Sequence, residues 1–446
     1  MLRVFAPFFL VTTFLVLSTL TSGVMAQNLI RGPYLQSLSS NSIILKWRSD
    51  IPTSSEIRYG KHWDNLPFNL KQEALKTDHE LHLENLESET RYYYSIVNDG
   101  EYITPPDPRQ NFKTAPADGE TRPVKIWVLG DSGTKDDYAR AVRDGYLKFR
   151  DTAETDMILL LGDNAYSRGL DEEYQLALFE NMLEDELVHT VVWPSLGNHD
   201  VHHINISEQR GPYFDIFSLP ENGEVGGVSS GTEAYYAFDY ANIHFIALNS
   251  SGYALRDSMI EWVSQDLAAN TKEWTIVFFH HPPYTKGTHD SDEDDRLIQM
   301  RTRIVPILES HGVDLVLTGH SHAYERSFLM HGHYGASDTF SDSMMINGGD
   351  GRIDGDGNYL KSSSKGTVYV VAGNSGSAYN ASFGHPVMYK ERSELGSIAL
   401  DIEGSKLDFY FLDINGHPLD NFSIEKTMSL GKEPIISLSK PKEEEH

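Results

Sequence analysis

The feature that most constrains the fold of this chain is an alternation of short apolar strands with amphipathic helices that begins at Val124. Continuous apolar runs too short for helices predict five buried strands, at residues 125–129, 157–161, 190–193, 274–279 and 313–318. Helical patterns lie between them, near 136–150, 172–186, 257–269 and 293–310. Three more strands, near 367–372, 396–402 and 405–412, follow without intervening helices. The alternation predicts an α/β (α+β) sandwich of two mixed β-sheets flanked by helices.

The residues before this region predict a separate all-β domain. Residues 42–48, 55–60 and 90–96 are β-rich runs, and helical periodicity is missing from the sequence between 28 and 117. A tyrosine near the start of the third run is similar to the tyrosine corner of immunoglobulin-like and fibronectin type III sandwiches. We therefore expect an all-β sandwich domain over 28–117, an α/β domain over 122–425 and a polar tail over 426–446.

The first 26 residues predict a signal peptide rather than part of the fold. Arg3 gives a positive start, an apolar run covers 4–20, and Val24 and Ala26 place small side chains before Gln27. A secreted or periplasmic protein without membrane contact after cleavage is expected. An uncleaved anchor is the alternative, because the apolar run is long for a signal.

Charge and cysteine content exclude several classes of function. The chain has 37 Lys and Arg against 65 Asp and Glu, a formal net charge of −28, which argues against a nucleic-acid partner. Because the sequence contains no cysteine, disulfide-linked dimers, thiolate nucleophiles and Cys-based zinc sites are excluded. A site for anionic phosphate in so acidic a protein needs cations, most simply metals held by oxygen and nitrogen ligands.

Each of the five strands of the α/β region ends in a short polar motif. The motifs occupy residues 130–133 (GDSG), 162–166 (GDNAY), 197–200 (GNHD), 277–280 (VFFH) and 319–322 (GHSH). One such motif alone is ordinary turn chemistry. Because α/β sheets bind ligands beyond the carboxyl ends of their strands, five motifs in order predict one shared site.

The residue types in these motifs are those of a dinuclear metal site. His320 and His322 are two apart, so in extended backbone both point the same way with bases roughly 6–7 Å apart. That spacing suits two ions about 3.5–4 Å apart, each bound by one imidazole. Asp163 and Tyr166 can share an ion from one loop, with the Asp163 carboxylate free to bridge. The other candidate ligands, also oxygen or nitrogen donors, are Asp131, Asn198 and His280.

With these motifs the sequence resembles the purple acid phosphatases, a family of calcineurin-like metallophosphoesterases. The resemblance includes the segment 319–327 (GHSHAYERS) and the opening 31–34 (RGPY) of the first domain. It extends over nearly the whole chain after the signal segment. It implies a metallophosphoesterase sandwich preceded by a fibronectin type III-like purple acid phosphatase N-terminal domain.

The resemblance also implies a metal for each candidate ligand. The ligands of a ferric ion would be Asp131, Asp163, Tyr166 and His322. Those of a divalent ion (Fe, Zn or Mn) would be Asp163, Asn198, His280 and His320. A phenol with a pKa near 10 is a poor ligand for a divalent ion at neutral pH, but a trivalent ion can deprotonate it.

Three further residues are catalytic candidates. His199 matches the phosphate-contacting histidine of the family, and Asp200 is expected to orient it. His289 falls where plant-type members carry histidines at the mouth of the site, with a surface-loop residue as the alternative interpretation. Asp290 stands here in place of a second histidine.

The expected function is that of an exported dinuclear acid phosphatase, in which a metal-bound hydroxide attacks small phosphate monoesters. A phosphodiesterase or nucleotidase using the same site is the first alternative, and an adhesion protein is the second. We interpret His244 as a hydrogen-bonded core histidine, and His281 as a residue that packs beside or supports a ligand rather than a ligand itself. Residues 350–358 are interpreted as a polar loop rather than a calcium site.

Overall fold

The computed structural model describes residues 28–251 and 256–427 of the chain. The predicted signal segment 1–26 and the tail after residue 427 lie outside the described residues. Within the described part, every helix is too short or too polar to cross a membrane.

The N-terminal region is all-β, as expected. Its six strands pair antiparallel in one sheet: β1 (Leu29–Gln36), β2 (Ile43–Gly60), β3 (Phe68–Leu83), β4 (Arg91–Asn98), β5 (Glu101–Tyr102) and β6 (Asn111–Lys113). The two strands expected at 42–48 and 55–60 form one continuous strand, β2. Its pairing with β3 shifts register between Arg48 and Ser55, so the gap predicted between two strands is an irregularity within one strand.

The α/β region contains two seven-stranded mixed sheets. The first has the order β17-β22-β21-β20-β7-β8-β9, and β7, β8 and β9 run parallel. Its strands are β7 (Val124–Leu129), β8 (Met157–Leu160), β9 (Val191–Pro194), β17 (Tyr359–Lys361), β20 (Gly396–Glu403), β21 (Lys406–Asp413) and β22 (Pro418–Lys426).

The second sheet has the order β10-β11-β12-β13-β18-β14-β19, with β11, β12, β13 and β18 parallel. Its strands are β10 (Tyr236–Tyr240), β11 (Ile243–Ala247), β12 (Trp274–Phe279), β13 (Leu315–Thr318), β14 (Tyr324–Ser327), β18 (Val368–Ala372) and β19 (Met388–Arg392). A small hairpin joins β15 (Leu329–Met330) to β16 (Met345–Asn347).

The α-helices lie close to the predicted helical segments, except for one short helix at residues 212–216 that the sequence does not predict. They are α1 (Asp137–Arg150), α2 (Asp171–Tyr174), α3 (Pro212–Ile216), α4 (Asp257–Ala269), α5 (Asp295–Gln299) and α6 (Val305–Ser310). A wider π-helical turn continues α2 through Gln175–Met182, and another joins α5 to α6. The helix predicted over 293–310 is thus helical over 295–310 but widens to a π-helical turn at Met300–Ile304. This turn comes just before Pro306, which lacks the N–H that a regular helix needs.

The two sheets pack face to face, which explains why their central strands are apolar throughout. In β12, Trp274, Ile276 and Phe278 join the core shared with the first sheet. The alternate residues Val277 and Phe279 pack into a second core that includes residues of α4 and α6. A strand covered on both faces has no polar side, so its sequence reads as a continuous apolar run.

The N-terminal region is fastened to the α/β region by polar contacts at the start of α2. Asp171 accepts hydrogen bonds from Arg31 at 3.1 Å and from Arg48 at 2.6 Å, and Arg31 is only 3% exposed. Nearby, the Tyr34 hydroxyl donates to the Ile216 carbonyl at 2.8 Å. The position of α2 therefore depends on side chains of the N-terminal region.

Two packing interpretations agree with the structure. His244 is buried between Asp239 and Asp266, with each ring nitrogen 2.7 Å from a carboxylate oxygen. Burial opposes its protonation, but the two carboxylates raise its pKa to about 9. In the 350–358 loop, the Asp350 carboxylate accepts from the backbone N–H of Arg352 and Asp356, as in a polar turn.

Candidate metal centre

The candidate ligands gather where strand ends from both sheets meet. Those of the first sheet follow β7, β8 and β9, and those of the second follow β12 and β13. In chain order they are Asp131, Asp163, Tyr166, Asn198, His280, His320 and His322. Parallel strands end at the same edge of a sheet, and here such edges of the two sheets lie next to each other. Residues nearly 190 positions apart in the chain are therefore in contact.

One group of four surrounds the Tyr166 hydroxyl. The Tyr166 oxygen lies 3.0 Å from Asp131 Oδ1, 3.2 Å from Asp163 Oδ2 and 3.2 Å from His322 Nε2. These separations match those of neighbouring ligand atoms around an octahedral ion with bonds of about 2.1 Å. A phenol has one hydrogen, so it cannot donate to both carboxylates at once. The arrangement therefore fits a bound cation better than a hydrogen-bond network.

A second group surrounds His280 Nε2. This nitrogen lies 2.9 Å from Asn198 Oδ1, 3.3 Å from Asp163 Oδ2 and 3.2 Å from His320 Nδ1. His280 Nδ1 donates to the Leu161 carbonyl at 2.9 Å, so Nε2 is the ring nitrogen that faces these neighbours. Burial opposes protonation of His280, but the charges of Asp163 and Asp131 raise its pKa to about 9, so the buried carboxylates favour a positive charge at this position. Asp163 Oδ2 belongs to both groups and so occupies a bridging position.

The backbone of three candidate ligands lies in the left-handed region. Asp131, Asp163 and His320 have φ angles of 56°, 52° and 67°. This conformation is uncommon for residues other than glycine and occurs preferentially at functional sites.

The extended backbone expected at His320 and His322 is corrected to a bend. The Ser321 N–H donates to the Gly319 carbonyl at 2.8 Å, and the Ala323 N–H donates to the Ser321 carbonyl at 2.7 Å, making two tight turns. The His320 N–H also donates to Asp131 Oδ2 at 2.8 Å. The bend directs His320 toward one group and His322 toward the other.

Glycines in the motifs allow the loops to approach one another. A Cβ on Gly197 would lie 2.2 Å from Asp163 Oδ1, and one on Gly319 would lie 2.4 Å from Asp131 Oδ2. Any larger residue at either position would displace a candidate ligand. These motif glycines therefore have a steric reason beyond turn formation.

His199 lies at the edge of the first group. Its backbone N–H donates to Asp163 Oδ1 at 2.8 Å, and its ring packs against Tyr166 with centroids 4.6 Å apart. The ring Nδ1 is 2.6 Å from the Ser167 carbonyl, to which it must donate, so Nε2 is the ring nitrogen left to contact a ligand. The side chain is 32% exposed and can meet a ligand from solvent.

The expectation that Asp200 orients His199 is corrected. The buried Asp200 carboxylate instead accepts from the Gly197 N–H at 2.8 Å, the Asn164 N–H at 3.1 Å and the Tyr174 hydroxyl at 2.7 Å. Burial, together with the nearby Asp163 charge, raises the pKa of Asp200 to about 7. Asp200 thus joins the loops that carry Asp163 and Asn198, while Ser167 orients His199.

His289 reaches the second group rather than remaining on a distant surface loop. Its ring stacks on His320 with centroids 3.9 Å apart and planes inclined by 24°. It is half-buried, and burial lowers its pKa. A cleft of about 480 Å³ opens beside it, lined by its own loop together with Ser382 and Phe383. Asp290, the residue in place of a second histidine, faces Lys286.

The structure adds residues that the motifs did not identify. Tyr379 is exposed and stacks on His322 at 5.3 Å, but it lies in a segment with no motif to mark it. Glu325 is buried and accepts from the Lys286 N–H at 3.0 Å, which holds the loop leading to His289. His281 hydrogen-bonds Ser250 at 2.8 Å, and its ring lies 4.9 Å from that of His280 and 4.4 Å from that of His320.

Comparisons with known proteins agree with this architecture. The family described as "Calcineurin-like phosphoesterase" matches residues 124–324, and "Purple acid Phosphatase, N-terminal domain" matches residues 32–114. Purple acid phosphatase 22 of Arabidopsis thaliana is 28% identical over 256 residues, 56% of this chain and 53% of that protein. Purple acid phosphatase 18 of the same plant is 29% identical over 248 residues, 54% of this chain and 51% of that protein.

These matches span about half the length of the curated relatives. A solved purple acid phosphatase from yellow lupin seeds shares the fold, with a TM-score of 0.64 over 92% of this chain and 77% of that one, at 16% identity. The α/β region therefore matches the calcineurin-like phosphoesterase model, and the N-terminal region matches the model of the purple acid phosphatase N-terminal domain. In sequence and in fold, the chain is similar to purple acid phosphatases.

Proposed function

We propose that this protein is an acid phosphatase that hydrolyses small phosphate monoesters with two metal ions. The observation that carries the proposal is the shared oxygen of Asp163. Asp163 Oδ2 lies 3.2 Å from the Tyr166 hydroxyl and 3.3 Å from His280 Nε2, so this carboxylate would contribute to the binding of both ions. Two metal ions bound side by side would stabilise the attacking and the leaving oxygens of a displacement at phosphorus.

The two groups of ligands differ in charge, which supports different metals. The group around Tyr166 contains two carboxylates and a phenol, and we assign it a ferric ion. Burial, followed by the charges of Asp131 and Asp163, raises the pKa of Tyr166 well above its usual value. Only a strongly charged cation would deprotonate such a phenol. The group around His280 has one carboxylate, an amide and two imidazoles, and we assign it a divalent ion (Fe, Zn or Mn).

When bound, the two cations would neutralise the phosphate oxygens and activate water as the nucleophile. The protein's own side chains then bind and orient the ester. His199 presents Nε2 beside the Tyr166 group, where a protonated imidazole can hold a phosphate oxygen. His289 stands beside the His320 group, next to the open cleft, where it can contact the leaving-group oxygen. The two histidines thus flank different groups of ligands.

The site of action is proposed to be outside the cytoplasm, in the periplasm or the surroundings of the cell. The signal-like residues 1–26 support export. The proposed partner is a small phosphorylated substrate. Because the sequence contains no cysteine, a disulfide-linked dimer is excluded.

Side-by-side kinetics of a monoester and a diester test the proposal. Protein loaded with two ions per chain is expected to hydrolyse an aryl phosphate monoester with a higher kcat/KM than the matching diester. Chelator-stripped protein serves as the control and should be inactive until metal is restored. A preference for the diester would favour the phosphodiesterase alternative. Inactivity toward both, with two ions bound, would favour a binding role.

His289→Ala should slow esters with poor leaving groups more than activated ones. If His289 assists the departing oxygen, turnover of an alkyl phosphate should fall by about 10²-fold or more, while an activated aryl phosphate loses much less. The measurement is kcat for both esters in wild type and variant. Equal slowing would assign His289 to phosphate binding, and unchanged rates would restore its interpretation as a surface-loop residue.

A further inference from the structure

We propose that Glu173 is a positioning residue for the loop that carries Tyr166, and that the N-terminal region holds Glu173 in place through Asp171. The Tyr166 loop is defined here as residues 164–170. The inference rests on the metal centre proposed above, but its first test needs no bound metal.

The Glu173 carboxylate accepts hydrogen bonds from three backbone N–H groups of the Tyr166 loop. Oε1 accepts from Ser167 at 2.7 Å, and Oε2 accepts from Arg168 at 2.9 Å and from Leu170 at 3.1 Å. A glutamate in the first turn of a helix commonly reaches back to the N-cap N–H, here that of Leu170. Accepting from two further residues goes beyond capping and fixes the path of the loop. Hydrogen bonds to an ionised carboxylate are about twice as strong as neutral ones.

Two adjacent peptide units link Glu173 to the two functional side chains of this region. The Ser167–Arg168 peptide donates its N–H to Glu173 and offers its carbonyl to His199 Nδ1 at 2.6 Å. The preceding N–H, that of Ser167, directly follows Tyr166 and also binds Glu173. Glu173 therefore sets the backbone at Tyr166 and, through the Ser167 carbonyl, the ring orientation of His199.

The N-terminal region fixes the helix turn on which Glu173 stands. Asp171 begins α2, and Arg31 binds both of its carboxylate oxygens at 3.1 Å, a bidentate geometry that restricts orientation. Arg48 binds the same two oxygens at 2.6 and 3.1 Å. Arg31 Nε also donates to Gln175 at 2.7 Å, one turn further along. Two arginines from the other region thus define where α2 begins.

The loop has other supports, so losing Glu173 should loosen it without unfolding the protein. The Tyr166 N–H donates to the Gly133 carbonyl at 3.0 Å, and the Gly169 N–H donates to the Ala165 carbonyl at 3.1 Å. Tyr174, buried behind the loop, keeps its hydrogen bond to Asp200. A variant at Glu173 is therefore a test of position rather than of folding.

The first experiment is hydrogen exchange in metal-free protein carrying Glu173→Gln. The glutamine keeps the size of the side chain but loses the charge, so amides 167, 168 and 170 should exchange at least several-fold faster. Glu172→Gln is the matched control, because Glu172 is the exposed neighbour on the same turn. Asp171→Asn should raise exchange in the same segment if the N-terminal region acts through this helix.

The second experiment measures how fast each ion is lost to a chelator. Residues that orient metal ligands typically contribute 10–100-fold to metal affinity, so Glu173→Gln should release the ion of the Tyr166 group about 10-fold faster or more. The ion of the His280 group should leave at nearly the wild-type rate, as should both ions in Glu172→Gln.

The proposal fails if exchange at 167–170 is the same in Glu173→Gln and Glu172→Gln. It also fails if Glu173→Gln releases both ions faster than wild type by the same factor and has a lower melting temperature, since that result indicates general destabilisation. An inactive wild type would refute the phosphatase proposal alone, because exchange and metal release are read without substrate.

Discussion

Replacing His320 with alanine is expected to lower monoester turnover by about 10³-fold, since a catalytic cation contributes several kcal/mol and each 1.4 kcal/mol is a factor of ten. His320 Nδ1 lies 3.2 Å from His280 Nε2, within the group assigned to the divalent ion. Asn198→Ala should act alike, because Asn198 Oδ1 lies 2.9 Å from the same nitrogen. Both residues are in loops beyond strand ends, so the fold should be retained.

Metal analysis, circular dichroism and kcat of the purified variants make the measurement. Each variant should contain close to one ion per chain instead of two, with an unchanged spectrum of secondary structure. His62→Ala is the matched control, since His62 is an exposed histidine between β2 and β3 of the N-terminal region. Full metal occupancy with a normal rate in either ligand variant would contradict the assignment.

Tyr166→Phe should remove the visible absorption band expected of the iron-loaded protein. A phenolate bound to Fe(III) gives a broad ligand-to-metal charge-transfer band, so the wild type should be violet. Phenylalanine lacks the oxygen that lies within 3.2 Å of Asp131, Asp163 and His322, so the band should vanish even where iron remains. Losing one negative charge also weakens ferric binding, and part of the iron and activity should be lost.

Absorption spectra of wild type and variant at known iron content provide the readout. Wild type reconstituted with zinc alone should be colourless, which separates the contribution of iron from that of the protein. A native preparation with two divalent ions, full activity and no visible band would show that Tyr166 is not used as a phenolate. The chain would still be similar to calcineurin-like phosphoesterases, but the ferric ion and its phenolate ligand would no longer be proposed.

The positions of the candidate ligands could be predicted because each follows a strand that the sequence marks clearly. β8, β12 and β13 are short apolar runs, and a polar motif begins within two residues of each end. Strand direction and sheet order then bring the motifs together without further information. Local sequence was therefore sufficient to predict that these side chains lie together, whereas their division between two ions remains a proposal.

What could not be predicted depends on partners far away in the chain. The local sequence predicts extended backbone at His320. The observed bend is stabilised by a hydrogen bond to Asp131, 189 residues earlier, which local sequence does not reveal. Asp200 lies next to His199 in sequence, yet its carboxylate pairs with Tyr174 and the loop after β8. The hydrogen bonds between Glu173 and the Tyr166 loop could not be predicted either, because the sequence does not show which loop a helix glutamate binds.

Neither sheet carries a complete group of ligands. Asp131, Asp163 and Asn198 follow strands of the first sheet, whereas His280 and His320 follow strands of the second. Bound ions would therefore cross-link the two halves of the sandwich, and any sliding of one sheet over the other would change both coordination spheres at once. Because ligands that bind only the native state add their binding free energy to its stability, metal loading should make the halves unfold as one cooperative unit. Thermal resistance and catalytic competence would then rise together as the ions are taken up.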